Sequence, residues 1–405
     1  MLLKGRTWQN YTDKAYLSVL LTCACSYWLV GSLLLPMLSY VVLDFKTHDS
    51  NFINSATIVN IVPSLPFLFS FVIAALINNS KIAKIRLLSI GLICVASVVV
   101  FFLQQHSIIV LSIYVLLMSL AFRALYFALD KQITVLLHNN VTQFQSDLLI
   151  LSTLGGIVFP KLGHAIYQNY GVIGDVALFA VFSILLMLFT RLIPEVAVVD
   201  TANKVDKISF SKLIKSKALV KLVSTLCLVT IAQSPFFLVF FIKLHELNIS
   251  TNSYANILAY SSIFSLLAAL INKNRFLVHT NKMPLIIGIC LLCEAMLFAI
   301  LGSTNQSSVL YIIYFSTILL SSIVNIQNFA WIIKTIKVDA KLVNCTSFIN
   351  GVVASLFYLC YLFTEFLVNY LLNTGVMLSA VIYTLSIFGI AVSVVLLFMG
   401  IKNEL

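Results

Sequence analysis

The run Ala74-Ala75-Leu76-Ile77-Asn78, AALIN, recurs letter for letter at Ala268-Ala269-Leu270-Ile271-Asn272, and basic residues follow each copy. The copies begin at 74 and 268, 194 positions apart in a chain of 405 residues. Their surroundings decide the fold. Each copy closes a long uncharged apolar run, and such runs fill most of the sequence. Hydrophobic residues make up 61% of the chain and charged residues 10%, with a mean hydropathy of +1.05. A soluble domain carries about 25% charged residues to cover its surface. This chain cannot build such a surface, so most of it must face lipid.

A helix rises 1.5 Å per residue, so about 20 apolar residues cross the roughly 30 Å of bilayer hydrocarbon. Twelve runs answer to this length: 16–43, 53–77, 87–103, 108–129, 146–168 and 173–193, then 218–242, 253–271, 284–302, 308–333, 342–366 and 376–401. They are continuously apolar rather than alternating, which excludes a closed barrel and makes the chain all-α. The first run is too long for the apolar core of a signal peptide and reads as a membrane span.

The charges give an orientation. Net charge is +11, yet the basic residues stand in short clusters between runs, as cytoplasmic loops do, rather than forming a nucleic-acid face. Of 25 Lys and Arg, Lys46 and Lys243 alone fall in the segments of one side, Arg123 and Lys161 lie within runs, and all others gather on the second side. This predicts a multi-pass protein of the cell (inner) membrane with both termini cytoplasmic. Both AALIN copies then close an even-numbered run, the second and the eighth, at its cytoplasmic end. Six helices repeat six in the same orientation: a bundle at 1–193, a linker at 194–217 and a bundle at 218–405. Parallel repeats of this kind mark transporters whose halves rock about a central site.

Twelve transmembrane helices in two pseudo-symmetric six-helix bundles, with a basic central loop, resemble the major facilitator superfamily. Leu35-Pro36, Pro63 and the segment from Phe127 to Gly171 resemble a bacterial exporter branch that includes macrolide-efflux and enterobactin-type siderophore exporters. Lys131-Gln132 matches that branch's P-A-R-Q loop after the fourth span, with Leu129 and Asp130 replacing its Pro and Ala. Phe159-Pro160-Lys161-Leu162-Gly163-His164 matches its G-P-x-x-G-G pattern, with Phe159 and His164 in place of glycines. The resemblance covers roughly residues 20–195. It departs after the second span, where the superfamily's G-x-L-a-D-R-x-G-R-[RK] loop carries an aspartate that the resemblance implies latches the cytoplasmic gate. Here Asn78 to Arg86 keeps the positive charge and has no acid. A gate of Asn78, Lys81, Lys84 and Arg86, with Asn272, Lys273 and Arg275 in the second half, would have to use helix-end carbonyls facing the lysines.

An ionisable group inside a bilayer is costly unless paired or wet, so each has a functional reading beside a structural one. Arg123 either holds an anionic group of the substrate or reaches the headgroups or Asp130. Lys161 and His164, three apart, share a helix face; they contact substrate, with His164 exchanging protons, or form an outer gate. Glu294, in the middle of the ninth span, is a proton carrier or a hydrogen-bonded structural residue. Glu365, near the outer end of the eleventh, is a coupling group or sits at a wet boundary. The resemblance implies that Gln233, Asn325, Gln327 and Asn328 lie on cavity-lining helices. Tyr27 and Trp28 offer rings for a flat or cyclic substrate, and each of these six also suits helix–helix packing. With Arg123 and Lys161 as the cations inside, the expected substrate carries an anionic portion, as a siderophore or an acidic peptide antibiotic does.

Other functions lack their chemistry. There is no G-x-x-x-x-G-K-[ST] phosphate loop. His48, His106, His138, His164, His245 and His279 are scattered over separate segments, and no convergent catalytic or metal-ligating set is visible. The expectation is a monomer without enzyme activity, cofactor, metal or nucleic-acid partner. It would export a small bioactive molecule in exchange for protons, with import of a small nutrient as the alternative.

Overall fold

The computed structural model describes residues 12–44, 50–62, 65–70, 72–73, 82–103, 108–136, 141–192, 216–273, 283–338 and 346–401. Within these residues every apolar run is met by helix. Among the described residues eight helices are long and apolar enough to cross a membrane; that from Asp147 to Leu188 holds both the fifth and sixth runs. Shorter apolar helices, Phe52–Ile61, Ile85–Val100 and Ile109–Leu125, supply the second, third and fourth.

The first span comprises Thr12–Tyr27, a π-helical stretch Trp28–Leu34, and Leu35–Asp44. Pro36 accounts for the widened stretch. It has no N–H to offer the carbonyl one turn back and its ring crowds that carbonyl; the Leu35 amide instead bonds to the carbonyl of Val30. The second span includes the helices Ser50–Ile61 and Leu65–Leu68, and Pro63 lies outside the described residues. Ile82–Leu103 and Ile108–Leu136 are the third and fourth spans. The fifth and sixth form Val141–Phe189, bent at Gly171, whose φ of +62° favours glycine. The seventh consists of Lys217–Gln233 and Pro235–Glu246, with Pro at the first position of its second piece. Thr251–Lys273, Met283–Ser303, Ser307–Val338, Thr346–Asn373 and Leu378–Ile401 complete the second half.

Several helices outrun their apolar limits. The fourth continues to Leu136, so Asp130, Lys131 and Gln132, read from the sequence as a loop, are helical. The tenth reaches Val338 and the eleventh Asn373. Apolarity marks the hydrocarbon layer, not the last hydrogen-bonded turn.

The repeat is one of helix order rather than of letters. Helix starts Ser50 and Thr251, and Ile82 and Met283, lie 201 residues apart; Ile108 and Ser307 lie 199 apart. The AALIN copies are 194 apart, hence about two helical turns out of step with the helices around them. The copy at 74–78 lies outside the described residues, as do Asn78, Lys81 and Arg275 and the side chains of Lys84 and Lys273.

Because the spans are even in number, Thr12 and Ile401 mark one side of the bundle, here the terminal face. Two buried clusters show how the halves meet. The larger draws on the first half along its length and takes Phe236, Phe240, Phe241 and Tyr314 from the second half, all toward the opposite face. The other, including Leu222, Leu226, Leu291 and Val324, belongs to the second half near the terminal face. The halves therefore share a core on one side and keep separate cores on the other.

Glycine sets the closest packing. The Trp28 Nε1–H donates to the carbonyl of Leu151 at 2.9 Å, and the indole stacks on Phe159 at 5.9 Å. A Cβ on Gly155 would overlap that indole, whereas Gly91 has open space around it. Gly155→Ala is expected to cost about 1–3 kcal/mol through overpacking. Gly91→Ala is expected to be neutral or to stabilise by about 0.5–1 kcal/mol. Thermal unfolding of the two variants in detergent checks both.

Candidate functional site

At the opposite face the halves are sealed by direct contacts. Asn373 Nδ2 donates to Asn54 Oδ1 at 3.0 Å, and the Tyr254 hydroxyl to Ser39 Oγ at 3.4 Å. His164 Nε2 lies 3.2 Å from Thr251 Oγ1. The Phe52 ring stacks on His245 at 3.5 Å and on Phe241 at 6.0 Å. Tyr40 stands against His164, Tyr167 and Tyr254, with ring centroids at 5.3, 5.7 and 6.2 Å. Deeper in, the Tyr361 hydroxyl donates to the carbonyl of Asn60 at 3.2 Å.

Below this seal lies Arg123, near the middle of the Ile108–Leu136 helix. Its Nε and Nη2 donate to Ser70 Oγ at 3.2 and 3.0 Å, and its guanidinium sits 4.2 Å over the Phe67 ring. Phe67 stacks in turn on Tyr358 of the eleventh span, centroids 4.2 Å apart. The arginine of the first half thus adjoins an aromatic of the second through one ring. Tyr27, at the end of the first helical piece of the first span, is 58% exposed.

A cavity of about 520 Å³ lies within the second half. Gln233, Glu294, Asn325 and Asn328 line it together with Phe236, Phe298, Phe357, Tyr358 and Tyr361. Gln233 Nε2 donates to Glu294 Oε2 at 2.6 Å. Glu294 Oε1 and Asn328 Oδ1 are buried without a hydrogen-bond partner. Asn325 and Asn328 are three apart and so share a helix face. The arrangement leaves buried acceptors open and is walled by aromatics.

The structure brings Gln233, Glu294, Asn325 and Asn328 together and sets other expected residues elsewhere. Gln327 points away from the cavity and donates to Asn272 Oδ1 at 2.7 Å, while Asn272 Nδ2 bonds to the carbonyl of Ala268 at 3.0 Å. That pair fastens the eighth span to the tenth. Trp28 is occupied by its packing on the fifth span. Lys161 and His164 share a helix but not a surface: His164 is buried in the seal. Lys161 is exposed with its ammonium 5.1 Å over Tyr260. The eighth helix lies along this part of the fifth and divides its face. Arg86 reaches Thr190 Oγ1 at 3.5 Å, within its own half. The expected wet boundary position of Glu365 is corrected, since the residue is wholly buried; its helix runs on to Asn373, carrying it inside.

Sequence reasoning missed Phe67, Ser70 and Tyr358, because an aromatic or serine in an apolar run carries no signal until a charge is seen beside it. It also missed Asp175, which is 1% exposed with both carboxylate oxygens unpartnered. That residue stands at the start of the sixth run, where a sequence looks like a loop edge.

The model of the Major Facilitator Superfamily matches residues 20–342. Among solved structures, a mutant form of the nucleoside transporter NupG is similar with a TM-score of 0.68 at 15% identity, over 96% of this chain and 99% of that one. The POT family transporter PepTSo gives 0.73 at 10% identity, over 98% and 99%. The human organic anion transporter MFSD10 (TETRAN) gives 0.69 at 14% identity, over 95% and 99%. At such identities these likenesses speak for the fold. No curated protein matches the sequence. Helices that answer to the apolar runs and a family match over most of the chain agree, and the protein belongs to the major facilitator superfamily of membrane transporters.

Proposed function

We propose that the chain is a proton-driven secondary exporter working by alternating access, with the bundles 1–193 and 218–405 rocking about a central vestibule between Arg123 and Tyr358. Its cargo is a small molecule with an anionic portion, held by Arg123 and flanked by Tyr27 and Tyr358. The terminal face looks into the cytoplasm of a bacterial inner membrane, since the basic clusters of the sequence belong to that side. Glu294 is the group best placed to take up the coupling proton, with Asp175 and Glu365 as further buried carboxyls. The exporter assignment rests on the likeness of residues 20–195 to the macrolide and siderophore exporters. One observation supports the mechanism: the halves share a core and a hydrogen-bonded seal at the opposite face and keep separate cores toward the terminal face.

Energised inverted vesicles test this reading. Labelled siderophores and peptide antibiotics should accumulate inside them, and a protonophore should abolish the accumulation. Accumulation in respiring right-side-out vesicles, whose interior is alkaline, would make the protein a proton-coupled importer instead.

A further inference from the structure

The cavity in the second half is more than an extension of the vestibule. Its volume of about 520 Å³ falls within the roughly 300–1,000 Å³ of small-molecule sites and is far larger than a metal ion or a proton needs. Phe236, Phe237, Phe298, Phe357, Tyr358 and Tyr361 wall it. Four polar groups of its lining are buried without a partner: Glu294 Oε1, Asn328 Oδ1, Ser234 Oγ and Thr317 Oγ1. Two of these are acceptors only, and two are hydroxyls that also accept. Glu294 is 6% exposed and Asn328 8%, so bulk water does not complete them. A carboxylate oxygen left open inside an aromatic wall suits an organic cation, whose charge is met by the ring faces and whose N–H groups fill the open acceptors.

We infer that this cavity binds a protonated amine carried by the substrate. The inference rests on the transport reading and deepens it. With Arg123 adjoining the cavity wall through Phe67 and Tyr358, the cargo is amphoteric, its acidic group toward the first half and its ammonium in the second. Loss of either charge should weaken binding separately.

Three matched probes decide the matter: 2-phenylethylammonium, its neutral counterpart 2-phenylethanol, and the anion phenylacetate. Each is titrated against the purified protein in detergent, with thermal unfolding as the readout. The ammonium should raise the unfolding temperature with a saturable dependence, and 2-phenylethanol should not. Glu294→Gln, close in shape, should weaken the ammonium about tenfold and leave phenylacetate unaffected. Equal shifts from amine and alcohol in the unsubstituted protein would overturn the inference, whatever the variant does. So would an ammonium effect that survives Glu294→Gln. Failure of the transport reading looks different: amine binding intact, and no gradient-driven uptake in vesicles.

Discussion

Arg123→Ala should cut transport by about tenfold to hundredfold while the protein remains folded. The half-buried guanidinium donates to Ser70 and sits over the Phe67 ring in the middle of its helix. Without it, the substrate's anionic group loses a charge-assisted hydrogen bond. Arg123→Lys should recover only part of the activity. A lysine ammonium has no planar fork to keep Ser70 and the substrate engaged together. Uptake measured beside thermal unfolding separates this from a structural role, in which activity and stability would fall together.

Clamping the opposite face should stop transport almost completely and reversibly. Asn54 and Asn373 sit on the second and eleventh spans, one in each half, and their side chains are hydrogen-bonded at 3.0 Å. Both are exposed. Introducing Asn54→Cys and Asn373→Cys into a background without the native cysteines places two thiols across the seam. A short bis-methanethiosulfonate reagent should then bridge them. Rocking requires this seam to part, so the bridged protein should be inactive and a reductant should restore it. The single-cysteine proteins treated alike should stay active. A bridged protein that still transports would place the moving seam elsewhere.

Much of the architecture was legible in the sequence because a bilayer imposes a length and a polarity on every span. Two breaks were legible too: Pro36 coincides with a π-helical stretch and Gly171 with a bend, for reasons of backbone chemistry. The opening repeat was half a signal. AALIN pointed to a true duplication of helix order while its letters sit two turns out of step, since small apolar words recur easily in so apolar a chain. The site was less readable. Gln233, Glu294, Asn325 and Asn328 converge as polar residues on cavity helices should. Gln327, one position from Asn328, turns about 100° away and holds Asn272 instead. Helical register over a long span decides such matters, and an apolar run does not fix it. Trp28 was lost to packing because Gly155, far along the chain, leaves room for its indole.

The central claim is that the two bundles rock about the vestibule, so that one face opens as the other closes. Spin labels at Asn54 and Asn373 report the opposite face, and labels at Arg191 and Lys217, exposed residues of the two halves, report the terminal face. Pulsed dipolar distances should change in opposite senses between the two pairs when a proton gradient or a transported compound is supplied to vesicle-embedded protein. Distances that lengthen together, or a terminal-face pair that moves while Asn54 and Asn373 stay fixed, would contradict it.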